Sequence, residues 1–108
     1  MYTYDLYGEK YDINIMRSTY RDNNNTAVIA ELSNGEPFAA FTVNLDDDLP
    51  ENMAYLDTNN VRGVLEFMIE NNLAEDTGKT ETSGFCTYPL VRLNLDKIPK
   101  IEWYQLRW

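Results

Sequence analysis

The chain has 108 residues, 44% of them hydrophobic and 13% aromatic, and only nine are Gly or Pro. This length fits one domain and the apolar content can form a core, so the composition excludes a disordered chain and a pair of ordinary domains. Eighteen acids against nine bases give a formal net charge of −9. Such a balance disfavours direct binding to nucleic acid or to anionic membranes and favours a basic protein partner.

Alternation of apolar and polar residues predicts the first two strands, at residues 2–6 and 11–15. Gly8 and Glu9 lie between them and predict a turn. The polar stretch from Asp22 to Asn25 predicts a loop, because Asp and Asn side chains compete with the backbone for hydrogen bonds.

Two apolar, β-rich segments follow, at residues 26–32 and 37–45, with Asn34 and Gly35 between them. Asn-Gly between apolar segments is the strongest short-range signal for a β-hairpin. The sequence therefore predicts a hairpin in which Gly35, and Asn34 with it, has a positive φ.

A long acidic connection over residues 45–59 leads to a predicted helix at 60–73. The helix is expected to bury Val64, Leu65 and Met68, which recur at helical spacing on one face. Residues 57–59 carry side chains that can cap its first turn.

The last part of the chain predicts a polar loop at 74–84, then a strand at 85–95. The tail at 98–108 is compatible with a strand or a short helix. Its aromatic residues could anchor a partner or could close the core; they are Trp103, Tyr104 and Trp108.

These elements predict an α+β fold: an antiparallel sheet of four to six strands with one main helix, residues 60–73, packed on one face. A half-buried sheet needs such a cover, and the chain has only one long amphipathic segment. The whole chain, residues 1–108, is expected to form a single acidic domain.

Four blocks of sequence, taken in order, resemble a family of short proteins of unknown function from bacterial phages and integrative conjugative elements. The blocks span residues 42–45, 56–60, 72–78 and 83–90. The resemblance covers about residues 38–94. It implies a mobile element in a bacterial cytoplasm as the setting, and it brings no catalytic residues. Small acidic proteins of such elements often block host defence enzymes, which is an analogy of context.

The residue inventory argues against catalysis and against a metal or cofactor site. The chain has no histidine, which removes the commonest general base and metal ligand, and a single cysteine, Cys86, which excludes a disulfide within the chain. Asn44, Asp46 and Asp48 alternate like the first ligands of a calcium loop, but Leu49 replaces the required glycine. We therefore expect no enzyme, and a buried, inert Cys86 thiol.

Two functions remain open. One is an acidic protein-binding module of a bacterial mobile element, which could inhibit a host nucleic-acid-binding defence enzyme. The other is a structural or accessory protein whose acidity serves solubility only. Ten acids against two bases lie between residues 44 and 81. The first function predicts a binding surface among them, made by Asp46, Asp47, Asp48, Glu51, Glu66, Glu70, Glu75 and Asp76.

Overall fold

A computed structural model describes residues 1–101 of the chain. Two four-stranded antiparallel sheets and one short helix make up the described part, so the architecture is mostly β. The predicted antiparallel pairing is confirmed, but the strands divide into two sheets of four instead of one sheet of four to six. The elements in chain order are β1 (Tyr2–Leu6), β2 (Glu9–Thr19), β3 (Thr26–Leu32), β4 (Pro37–Ala40), β5 (Thr42–Val43), β6 (Met53–Leu56), α1 (Val64–Glu70), β7 (Ala74–Ser83) and β8 (Cys86–Leu93).

The first sheet has the order β1-β2-β3-β4, which follows the chain. Leu6 pairs with Glu9, so the turn between β1 and β2 consists of Tyr7 and Gly8, with φ of 54° and 86°. Two positive φ values are the mark of the turn that best fits the twist of a hairpin. The turn thus lies one residue earlier than predicted.

The predicted hairpin at Asn34 and Gly35 joins β3 to β4. Gly35 has φ 89°, as expected, whereas Asn34 does not have a positive φ, which corrects that part of the prediction. The Gly35 N–H donates to the Leu32 carbonyl at 2.9 Å, and the Leu32 N–H donates to the Glu36 carbonyl at 2.8 Å. This pattern fits a turn closed by one glycine in the left-handed conformation, so Asn34 does not need a positive φ.

Phe41 joins the two sheets. The segment predicted as one strand, 37–45, divides around it: β4 pairs with β3, and β5 pairs with β6. The fully buried Phe41 donates its N–H to the Val28 carbonyl at 2.8 Å and accepts from the Asp57 N–H at 2.9 Å. Its backbone groups are therefore satisfied by one sheet on each side.

The second sheet has the order β5-β6-β8-β7 and contains two unpredicted strands. β6 lies within the segment predicted as an acidic connection. β7 replaces the predicted polar loop at 74–84, and nine of its ten residues are at least partly exposed. Pairing with β8 holds it in place, with a register shift between Asp76 and Lys79. A strand without a buried face shows no alternation of apolar and polar residues, so the sequence pattern does not predict β7.

The helix is half as long as predicted, because it begins only after Gly63, whose φ is 78°. Residues 57–61 form a separate turn instead, and the predicted side-chain cap is absent from the described helix start. Val64 and Met68 are buried as predicted, but Leu65 is only half-buried, and Phe67 is buried in its place. Buried residues of α1 and of both sheets share one apolar cluster, so the prediction of a helix on one face of a single sheet is not confirmed.

An aromatic group forms the centre of this cluster. The Tyr4 ring lies 4.8 Å from the Phe67 ring and 5.7 Å from the Phe41 ring, measured between centroids. The Tyr4 hydroxyl donates to the Arg62 carbonyl. Burial, with a smaller effect of the Glu66 charge, raises the pKa of Tyr4 to about 12. Tyr4 therefore packs β1 against Phe41, which connects the two sheets, and against Phe67 of α1.

After β8 the chain forms a 3-10 turn at Leu95–Lys97 and then passes beside β2. The Arg17 N–H donates to the Pro99 carbonyl, and the Ile101 N–H donates to the Arg17 carbonyl, both at 2.8 Å. The predicted tail elements beyond 101, with their three aromatic residues, lie outside the described residues. No helix within residues 1–101 has the length and apolar character required to cross a membrane.

Candidate functional site

Residues 44–52 form an acidic loop between β5 and β6, and this loop carries four of the predicted binding residues. Its ends are fixed because Val43 pairs with Tyr55 across the two strands. The four acidic side chains are exposed; they are Asp46, Asp47, Asp48 and Glu51.

Asn25 holds the backbone of the acidic loop from the first sheet. This side chain is 5% exposed, and its amide nitrogen donates to the Asp47 carbonyl at 2.6 Å and to Asn44 Oδ1 at 3.3 Å. Its amide oxygen accepts from the Leu49 N–H at 3.0 Å. A buried amide with every contact on one loop fixes the conformation of that loop, because a wrong arrangement would leave buried polar groups unpaired.

The far end of the acidic loop has a second attachment. The buried Thr26 hydroxyl donates to the Glu51 carbonyl at 2.6 Å. Arg17 Nη1 lies 2.9 Å from Glu51 Oε2, while Arg17 Nε donates to the Ile98 carbonyl at 2.8 Å. Glu51 is thus already neutralised by a cation of the same chain.

Asp47 faces the second sheet and has a neighbour that the sequence did not reveal. Tyr55 donates its hydroxyl to Asp47 Oδ2 at 2.7 Å. Asp46 and Asp47 line a groove of about 190 Å³ together with Glu81 of β7. Burial, the hydrogen bond to Asp47, and the charges of Asp47 and Glu81 raise the pKa of Tyr55 to about 12. Glu81 therefore extends the acidic surface of the loop.

Asp46 and Asp48 differ from their two acidic neighbours. Neither carboxylate has a hydrogen bond or an ion pair with another residue in the 1–101 range. The loop thus presents two charges with no partner in the described structure on a backbone fixed by Asn25 and Thr26. Such an arrangement loses little conformational freedom when a partner binds.

The other four predicted acids lie apart from the groove of the acidic loop. Glu66 lines a different cavity with Tyr7 and Arg62, and the Arg62 guanidinium lies over the Tyr7 ring at 5.0 Å. Glu75 pairs with Arg92 across β7 and β8, and both line a third cavity. The remaining two, Glu70 and Asp76, are exposed, and Asp76 Oδ1 accepts from the Gly78 N–H at 2.9 Å.

The site offers little chemistry beyond charge and hydrogen bonding. Residues 1–101 contain no group of three or more metal-binding side chains, and Asn44 Oδ1 accepts from the side-chain amides of Asn23 and Asn25. Cys86 is half-buried rather than buried, at the start of β8. Within the described residues, the acidic loop presents charged and hydrogen-bonding groups and no nucleophile beside a base.

Sequence reasoning located the acidic loop but missed the residues that shape it. The polar pattern at 74–84 predicts a loop at Glu81, whereas its position beside Asp47 depends on the pairing of β7 with β8. Asn25 was treated as part of a polar break, because a single Asn gives no signal of burial before the sheets are known. The only sequence signal for Asn25 is its place in the polar stretch Asp22–Asn25, because one of four polar residues can have a structural role.

Comparison with known protein families gives a match over most of the chain. The model of a family described as Domain of unknown function (DUF4313) matches residues 14–105. No curated protein and no solved structure matches the chain. The match agrees with the predicted resemblance to an uncharacterised family and extends beyond residues 38–94 at both ends.

Proposed function

The chain belongs to this family of unknown function, and we propose that it is an acidic protein-binding module whose acidic loop docks on a basic protein surface. The observation that supports this most is the fixed loop with two charges, Asp46 and Asp48, that have no partner among the described residues. Surface acids that serve only solubility do not need a fixed backbone. A binding surface, in contrast, gains affinity when its backbone is ordered before the partner binds.

The finer proposal concerns the partner and the setting. We propose that the module belongs to a bacterial mobile element, acts in the host cytoplasm, and occupies the basic nucleic-acid groove of a host defence enzyme. A groove that binds phosphates by Lys and Arg is complementary to closely spaced carboxylates. Inhibition would follow from competition for the same basic residues, with no chemical step.

The alternative is a structural or accessory protein whose acidity serves solubility. The placement of Glu66 and Glu75 in cavities separate from the loop favours this alternative for those two residues. Scattered acids are what a solvated surface requires. The proposal therefore rests on the acidic loop and Glu81 and no longer on all eight predicted acids.

The test is capture of partners from a bacterial lysate at low and high salt, followed by competition with double-stranded DNA. The proposal predicts a basic, nucleic-acid-binding protein that is retained at about 50 mM salt and released at about 500 mM, because screening shortens the reach of surface charges. Added DNA should displace it. A captured partner that persists in high salt and ignores DNA would refute charge-driven occupation of a nucleic-acid groove.

A further inference from the structure

A further cavity lies where the two sheets meet and shares one lining residue, Asn44, with the groove of the acidic loop. Its volume is about 530 Å³. Small apolar side chains leave this space open; Ala39 and Ala40 of β4 and Val61 line it. Pockets that receive a partner's side chain combine such apolar walls with a few placed polar groups.

Asp57 supplies the charge of this cavity. Its two carboxylate oxygens accept from the backbone N–H and the side-chain amide of Asn60, at 3.1 and 3.0 Å. Both donors are neutral, and no cation within residues 1–101 pairs with the half-buried Asp57. A carboxylate beside apolar walls gains most from a positively charged group that also contributes apolar contacts.

Tyr20 forms another wall of the cavity and is held in place. Its hydroxyl lies 2.7 Å from Thr42 Oγ1, and Thr42 Oγ1 also accepts from the Val28 N–H at 3.1 Å. Burial raises the pKa of Tyr20, and the Asp57 charge adds to the rise. Asp57 therefore acts on the interior of the cavity, beside a fixed aromatic ring.

From this geometry we propose that the cavity binds an alkylguanidinium group, the side chain of an arginine on the basic partner. A guanidinium can form two parallel hydrogen bonds with Asp57 and stack on the Tyr20 ring, while its aliphatic stem contacts Ala39 and Ala40. The inference rests on the proposed function only for the source of the arginine. The binding site itself is a property of this chain.

The experiment titrates the full chain with agmatine, a small alkylguanidinium with a primary ammonium at its other end, and follows backbone amides by ¹H–¹⁵N NMR. Saturable shifts are expected at Ala40 and Asn60. Asp57→Asn should weaken binding at least about tenfold, because the amide keeps the shape but loses the charge. Asp96→Asn removes the same charge at an exposed position outside the cavity and should leave the affinity unchanged. Shifts centred on the acidic loop, or equal affinity for Asp57→Asn and the parent, would overturn the proposal.

A second variant covers the case in which Asp57→Asn alters the turn at 57–61. Ala40 lines the cavity and lies outside the buried apolar cluster, and Ala40→Leu fills the cavity. This variant is also expected to lose agmatine binding. Unchanged binding would overturn the cavity as the site.

Two further ligands identify the source of the guanidinium. A capped Gly-Arg-Gly peptide should shift the same amides as agmatine does, and a capped Gly-Lys-Gly peptide should bind more weakly, because an ammonium lacks the planar fork. Binding of agmatine without the arginine peptide would overturn the assignment to a protein side chain. The proposed function is tested separately, by partner capture and by substitution of the loop acids, so failure at the cavity leaves it to its own test.

Discussion

Replacing Asn25 by alanine should loosen the acidic loop and destabilise the protein. The side chain makes three hydrogen bonds, to the Asp47 carbonyl, Asn44 Oδ1 and the Leu49 N–H. At about 1 kcal/mol for each bond, the Asn25→Ala variant should lose about 3 kcal/mol of unfolding free energy. For a domain of this size, that loss lowers the melting temperature by roughly 12 °C.

The assay is thermal and urea unfolding, with hydrogen exchange at the Leu49 amide as a local measurement. Asn14→Ala is the matched control, because Asn14 is exposed on β2 and its loss should stay within about 0.5 kcal/mol. Faster exchange at Leu49 is expected only in Asn25→Ala. The reasoning fails if both variants melt at the same temperature or if exchange at Leu49 does not change.

Three further predictions concern the core, a turn and the tyrosines. Phe67→Ala should cost about 3–5 kcal/mol in chemical denaturation, since it empties the centre of the aromatic group, and a loss below 1 kcal/mol would contradict that packing. Gly35→Val should cost about 1 kcal/mol or more, because a β-branched residue is strained at φ 89°, whereas a stability equal to the parent's would exclude the turn. Tyr4 and Tyr55 have a pKa of about 12 against an ordinary 10.0, so they remain neutral in the fold when the unfolded chain ionises. Unfolding free energy should therefore fall as the pH rises from 10 towards 12, and a flat profile in that range would contradict the burial of both phenols.

The β-hairpin of the first sheet could be predicted because its signals are local. Alternation marked β1 and part of β2, and Asn34 with Gly35 marked the turn after β3. At this turn only the predicted positive φ of Asn34 is wrong, because a single positive φ at Gly35 closes the loop.

The second sheet could not be predicted in the same way. β7 is stabilised by cross-strand pairs with β8 and has almost no buried side chain, so the two-residue period of a strand is missing from its sequence. β6 is four residues long, within a segment whose acids and Pro50 indicated a loop. The separation of the two sheets depends on the change of partner strand at Phe41, which no local pattern encodes.

For the candidate site, the sequence indicated charge but not its arrangement. Asp46, Asp47, Asp48 and Glu51 were expected together because they are close in sequence. Asn25 and Glu81 joined them only through tertiary contacts. Contacts of that kind appear only when the strands are paired.

The central claim is that the acidic loop is the binding surface, and two charge-matched variants test it. The loop variant changes four acids to their amides: Asp46→Asn, Asp47→Asn, Asp48→Asn and Glu51→Gln. The control variant removes the same number of charges elsewhere: Glu66→Gln, Glu70→Gln, Glu75→Gln and Asp76→Asn. Each lowers the formal net charge from −9 to −5, the difference being the four acids removed.

The decisive measurement is the affinity of the captured partner for the parent and both variants at about 50 mM salt, after unfolding curves have shown that all three fold. The loop variant is expected to bind at least about tenfold more weakly than the parent, while the control variant should bind within about twofold of it. Equal weakening by both variants would show that net charge alone matters. Undiminished binding by the loop variant would contradict the claim that the acidic loop is the docking surface.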